Sequence, residues 1–171
     1  SDRPRALVSF STTNQDQADA LQRTVNAIGR IRMDAVATLG PALEDRSLHA
    51  PANVALLPSA PHDAVMREVS LVVTHGGHGT VSRALLHGLP LLVMPMGRDQ
   101  GDIAARVEVS GAGLTLAPTA AEPEIGAAIG RLIEEPHFRA AARRLGDIIT
   151  ADVSETRLVS ELEHIVRTPS S

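Results

Sequence analysis

The chain has 171 residues, enough for one domain with a sizeable core. Lys plus Arg number 16 against 20 Asp plus Glu, a net charge of −4, and Phe10 and Phe138 are the two aromatic residues, so both the basic footprint and the stacking platform of a nucleic-acid binder are missing. The lack of cysteine excludes disulfides and thiolate metal sites, no apolar stretch reaches the roughly 20 residues of a membrane span, and no signal peptide precedes Ala6, which together point to a cytoplasmic protein.

Along the chain, short apolar runs alternate with amphipathic segments. A strand is expected at 6–10 (ALVSF), followed by a helix over 15–31 whose Ala18, Leu21, Val25 and Ile28 share one stripe. Further strands are expected at 34–39 (DAVATL), 53–57 (NVALL) and 70–74 (SLVVT), with a long irregular connection over 41–52. A helix over 80–88 turns Val81, Ala84 and Leu85 inward, with Gly88 as its stop. A strand at 90–94 (PLLVM), a helix over 99–110 carrying Ile103 and Val107, and a strand at 113–116 (GLTL) follow. The strands lack a polar alternate face, the pattern of strands covered on both sides. The expected fold is therefore α/β: a doubly wound, Rossmann-like parallel sheet of about six strands with helices on both faces, its ligand crevice beyond the carboxyl ends of the strands.

After Leu116 the pattern becomes helical. Ile125, Ile129, Leu132 and Ile133 mark one helix, Phe138, Ala142, Leu145 and Ile149 a second, and Leu158, Leu162 and Ile165 a third. Pro136 and Asp152 are the expected breaks, with Ser154 as the cap of a last helix and tail over 153–171 that frays from Thr168. The whole chain, 1–171, reads as one domain.

The stretch VVTHGGHGT, residues 72–80, carries two histidines and three glycines at a strand end before a helix. Backbone N–H groups converge there and the helix dipole favours an anion, so close-approaching glycines make a phosphate seat, with Thr80 adding a hydroxyl and His75 a ring N–H. Other chemistries share the spelling: a zinc pair from His75 and His78, the H-x-G-H signature of nucleotidylyltransferases, or a turn that binds nothing. His87 at a helix end suits the dipole. His49, His137 and His164 read as surface residues, and Arg143 and Arg144 as a solvated helix face.

The stretch is not isolated. H-G-G-x-G-T, then G-L-P, V-x-P, D-Q and G-A-G follow in order over 74–116, and this block resembles the donor-binding half of family-one glycosyltransferases of the GT-B fold, particularly bacterial enzymes that decorate natural products. The resemblance implies that His75 with the turn Gly76, Gly77, His78, Gly79 and Thr80 holds the diphosphate of a UDP- or TDP-sugar, with Ser11 and Thr12 nearby. It implies that Asp99 and Gln100 hold sugar hydroxyls, against the plainer reading of Asp99 as a helix cap. Ser59, His62 and Arg83 fall in its base and ribose pocket.

The sequence departs from many plant relatives at Leu57 or Ser59 in place of a stacking Trp, His62 in place of Gln, Arg83 in place of a ribose-binding Glu and Ile103 in place of Asn, which leaves the nucleotide open. In such enzymes the acceptor pocket and general base belong to a preceding amino-terminal domain. The chain is therefore expected to be the carboxyl-terminal half of an inverting glycosyltransferase that needs neither metal nor cofactor. It should bind donor, carry no catalytic base, reach its small-molecule aglycone through the other half, and self-associate where that half is missing. A non-catalytic nucleotide-binding module and a nucleotidylyltransferase are the alternatives.

Overall fold

The computed structural model describes residues 2–10, 15–40 and 48–167, with backbone alone at 15, 16, 98, 155–161 and 164–167. Among them, β1 (Arg5–Ser9), β2 (Asp34–Thr38), β3 (Val54–Leu57), β4 (Leu71–Thr74), β5 (Leu91–Val93) and β6 (Gly113–Thr115) form one sheet in the order β3-β2-β1-β4-β5-β6. Every pairing is parallel. Each strand falls within a residue or two of its expected span.

Both faces of the sheet are covered. Ala6 and Val8 of β1, Leu71 and Val73 of β4 and Leu92 of β5 belong to one core, which α1 (Gln15–Gly29) and α5 (Glu122–Glu134) close with Leu21, Val25, Ile28, Ile125 and Ile129. Leu7, Val72, Leu91 and Val93 point the other way, into a core closed by α2 (His62–Met66), α3 (His78–Leu86), α4 (Arg98–Val109) and the start of α6 (Pro136–Arg167). The alternation of a strand is thus present, hidden because both faces are apolar. Side chains fix α1 at its flank. Arg23 donates to the carbonyls of Pro118 and Ala120, and Asn26 Nδ2 to Glu122 Oε1 at 3.0 Å.

The helices follow the expected stripes, with three corrections. α2 has five residues, fewer than the window over which helical periodicity shows, and was not anticipated. The break at Asp152 does not occur: α6 runs unbroken for 32 residues, about 48 Å. Neither Gly nor Pro lies between Asp147 and Arg167, and an interior Asp or Ser lowers helix stability by at most about 0.7 kcal/mol. Ser154 therefore stands exposed inside α6 and is not a cap. Ile133, expected on the buried stripe of α5, is exposed. Gly88 does follow α3 with φ of 67°. Residues 41–47 of the irregular connection, the tail from Thr168 and the side chains of Leu158, His164 and Ile165 lie outside the described residues.

Candidate nucleotide-sugar site

The winding reverses between β1 and β4, where Ser9 and Thr74 face each other as register partners at the carboxyl ends of the two strands. In an open parallel sheet the crevice lies there. β4 is buried along its length and delivers Thr74 and His75 into it.

His75 is 8% exposed. Its Nδ1 lies 3.5 Å from Thr74 Oγ1, and the ring is hydrogen-bonded to the Ser9 backbone. Burial pushes the imidazole pKa below its ordinary 6.5, against the opposing pull of the Ser9 bond. The ring is consequently neutral at pH 7.

The glycines have separate physical tasks. Gly76 adopts φ of 98°, donates its N–H to Thr74 Oγ1 at 3.3 Å, and passes so close to β5 that a Cβ would sit 3.0 Å from Val93 Cγ1. At Gly77 a Cβ would lie 2.9 Å from His75 Nε2, so the bare backbone makes room for the imidazole. α3 starts immediately afterwards, with Gly77 as its N-cap and no side-chain cap. Val81 N is the helix amide that bonds back to Gly77 O, which leaves the amides of His78, Gly79 and Thr80 directed out of the helix end. His78 and Gly79 are exposed, and a Cβ at Gly79 would meet nothing within 4 Å. An uncapped helix end beside a buried imidazole and open space above it can seat a diphosphate.

The expected sugar pair lies at the start of α4. Its N-cap is Gly97, so Asp99, exposed in the first turn, is not the cap that the plainer reading requires. Gln100 Oε1 accepts the Met96 N–H at 2.9 Å, which commits its oxygen to the loop and leaves its amide N–H groups to donate.

On the other flank, His62 Nε2 lies 3.4 Å from Ser9 Oγ. Burial and then the Arg83 charge lower the His62 pKa, while Asp63 opposes them. The His62 side chain thus reaches across to the carboxyl end of β1. Arg83 stands exposed on α3 facing it, and Ser59 is exposed beyond β3. Asp63 Oδ1 and His87 Nε2, 3.3 Å apart, tie α2 to α3, so His87 pairs with a carboxylate as well as closing a helix. Ser11 and Thr12 lie outside the described residues. Ser9 and Thr74 were not singled out from the sequence, since a small polar residue ending an apolar run carries no local signal. Among the described residues, no group of three His, Asp or Glu forms a metal-ligand cluster, and no helix is long and apolar enough to cross a membrane. A cavity of about 390 Å³ lined by Arg5, Asp34, Ala55 and Glu68 lies at the amino ends of the strands, away from this convergence of polar groups.

Residues 22–165 match the family described as erythromycin biosynthesis protein CIII-like, C-terminal domain. The chain belongs to this family. It is a CIII-like carboxyl-terminal domain, a glycosyltransferase domain of natural-product type with the GT-B half-fold. It is 35% identical over 167 residues to 4'-demethylrebeccamycin synthase of Lentzea aerocolonigenes, covering 97% of this chain and 39% of that relative. CalG4, the calicheamicin glycosyltransferase, superposes with a TM-score of 0.84 at 26% identity, over 95% of this chain and 43% of its own. The glycosyltransferase VinC, solved in complex with DTDP, gives 0.75 at 29% identity, over 94% and 42%. The CIII-like domain thus spans less than half the length of each.

Proposed function

We propose that this domain is the donor-binding half of an inverting, metal-independent glycosyltransferase that moves a hexose from UDP or TDP to a small natural-product acceptor. The observation that carries the reading is the buried His75 packed over Gly77 at the uncapped start of α3, on the reversal point of the sheet. VinC, of similar fold, has been solved with DTDP, which supports a nucleoside diphosphate as the occupant.

As the glycosidic bond breaks, negative charge grows on the departing diphosphate, and helix-end amides with an imidazole placed against it stabilise that charge without a divalent ion. Asp99 and the Gln100 amide hold the hexose. His62, Ser59 and Arg83 border the nucleoside. The acceptor and the base that deprotonates it belong to a preceding half, so a single displacement inverts the anomeric centre once the halves meet.

Calorimetry tests the seat directly. TDP or UDP should bind at least about tenfold more tightly than the matching monophosphate, as expected when about 1.4 kcal/mol of contact is made to the second phosphate. The difference should persist in chelator. Equal affinity for TMP and TDP, or binding lost on chelation, would contradict the reading.

A further inference from the structure

The donor reading leaves one buried polar group beside the crevice unused. Gln17, in the first turn of α1, is 3% exposed, and its Oε1 has no hydrogen-bond partner among the described residues. No other buried side-chain nitrogen or oxygen among them stands so. A buried acceptor without a donor destabilises the chain that carries it, and calls for a specific explanation where it persists.

Helix geometry gives the direction in which Gln17 looks. Thr24, seven residues on, places its hydroxyl 3.7 Å from Met94 Sδ just after β5. Seven residues make about two turns, so Gln17 shares that face within about 20° and stands about 10 Å nearer the amino end of the helix. α1 returns antiparallel to the strands it connects, which puts its amino end at their carboxyl ends. That direction carries Gln17 past Met94 toward the carboxyl ends of the strands, the edge from which the segment 94–97 leaves β5 for Asp99 and Gln100 on α4.

The polarities are complementary. Gln100 has given its oxygen to Met96 N and keeps N–H groups to donate, whereas Gln17 has an oxygen to accept. A diphosphate only accepts and cannot satisfy Gln17; a sugar hydroxyl both donates and accepts. We infer that Gln17 is a donor-sugar residue, whose Oε1 accepts a hydrogen bond from a hexose hydroxyl on the side of the ring opposite Gln100. The inference rests on the donor reading above.

An oxygen left unpartnered until the sugar arrives predicts an unusual pair of effects. Gln17→Met, of similar length but without the acceptor, should leave the Tm of the free 171-residue chain equal or higher. It should weaken TDP-glucose about threefold to tenfold, the range for one lost hydrogen bond, and leave TDP unchanged. Gln17→Glu, which keeps an oxygen at the same reach, should bind TDP-glucose more tightly than Gln17→Met. Equal losses for both ligands, no loss for either, or a Tm lowered by several degrees in Gln17→Met overturns the assignment. A wild-type chain that binds TDP but gains nothing from the glucose overturns it alone. One that binds neither overturns the donor reading, and this inference with it.

Discussion

His75 is a residue whose charge the fold controls, and its two neighbours make opposite demands. Burial disfavours the imidazolium, and the Ser9 backbone bond favours it. Because one part of the ring is already bonded to Ser9, an arriving diphosphate is served best by protonation of the imidazole, which its negative charge promotes. Binding then takes up a proton. Affinity for TDP should be greatest below the free-state pKa of His75 and fall as pH rises through its higher, ligand-bound value. Titrations at pH 7 in buffers of differing ionisation enthalpy should reveal the uptake, and His75→Gln should abolish it; no buffer dependence in the wild type would refute the coupling. Without ligand the sign is reversed. His62 and His75 have folded-state pKa values below 6.5, so the unfolded chain binds protons more readily, and their contribution to stability is lost as pH falls from about 6.5 through those lower values. Urea midpoints should be higher at pH 7.5 than at 5.5, less so in the doubly substituted His62→Gln, His75→Gln chain. Gly77→Ala tests the packing separately: a Cβ 2.9 Å from His75 Nε2 must displace the ring, so TDP binding should weaken about as much as in His75→Ala.

Among the elements, the crossing of α6 over α3 depends on one position. A Cβ at Gly146 would collide with the Leu85 carbonyl oxygen, so glycine there lets the two backbones touch. Gly146→Ala should cost about 1–3 kcal/mol of stability as an overpacked contact, measured by urea unfolding, while TDP affinity of the folded chain stays unchanged. A neutral effect would mean that the crossing tolerates separation. How much of this was legible follows from the range of each signal. The six strands were, because apolar runs bounded by polar segments are local. The His-Gly turn between β4 and α3 was as well, because its imidazole and glycines are adjacent in sequence. α2 was not, being too short to show a period, and the continuity of α6 was masked by an Asp and a Ser that mimic a cap at only a small propensity cost. The flank of the crevice was the least legible part. Ser9 and His62 meet across 53 residues, and Gln17 reads as an ordinary polar residue near a helix start until its burial is known.

At the scale of the whole molecule, α6 passes off the body of the domain. Its buried residues are Phe138, Ala141, Ala142 and Gly146, with Leu145 and Ile149 partly covered, while residues 150–154 and Leu162 are exposed. A lone helical segment of that length is marginal in water, and a second body packed on it would cover its exposed apolar side chains, Val153 and Leu162 among them. The domain spans 39% of a relative named as a synthase, and on the donor reading the same second body supplies the acceptor pocket and the base. Supplying the preceding half should therefore have two linked effects: amide exchange over 150–163 should slow, and transfer to a hydroxylated aglycone should begin. Without it, these 171 residues should bind TDP-sugar, turn nothing over, and associate with themselves at high concentration through the uncovered helix. The assay combines the chain with TDP-sugar and a panel of hydroxylated aglycones. Robust turnover by the chain alone would sink the half-enzyme reading and direct the search for a base to His62, His78 and Asp102, on α2, α3 and α4.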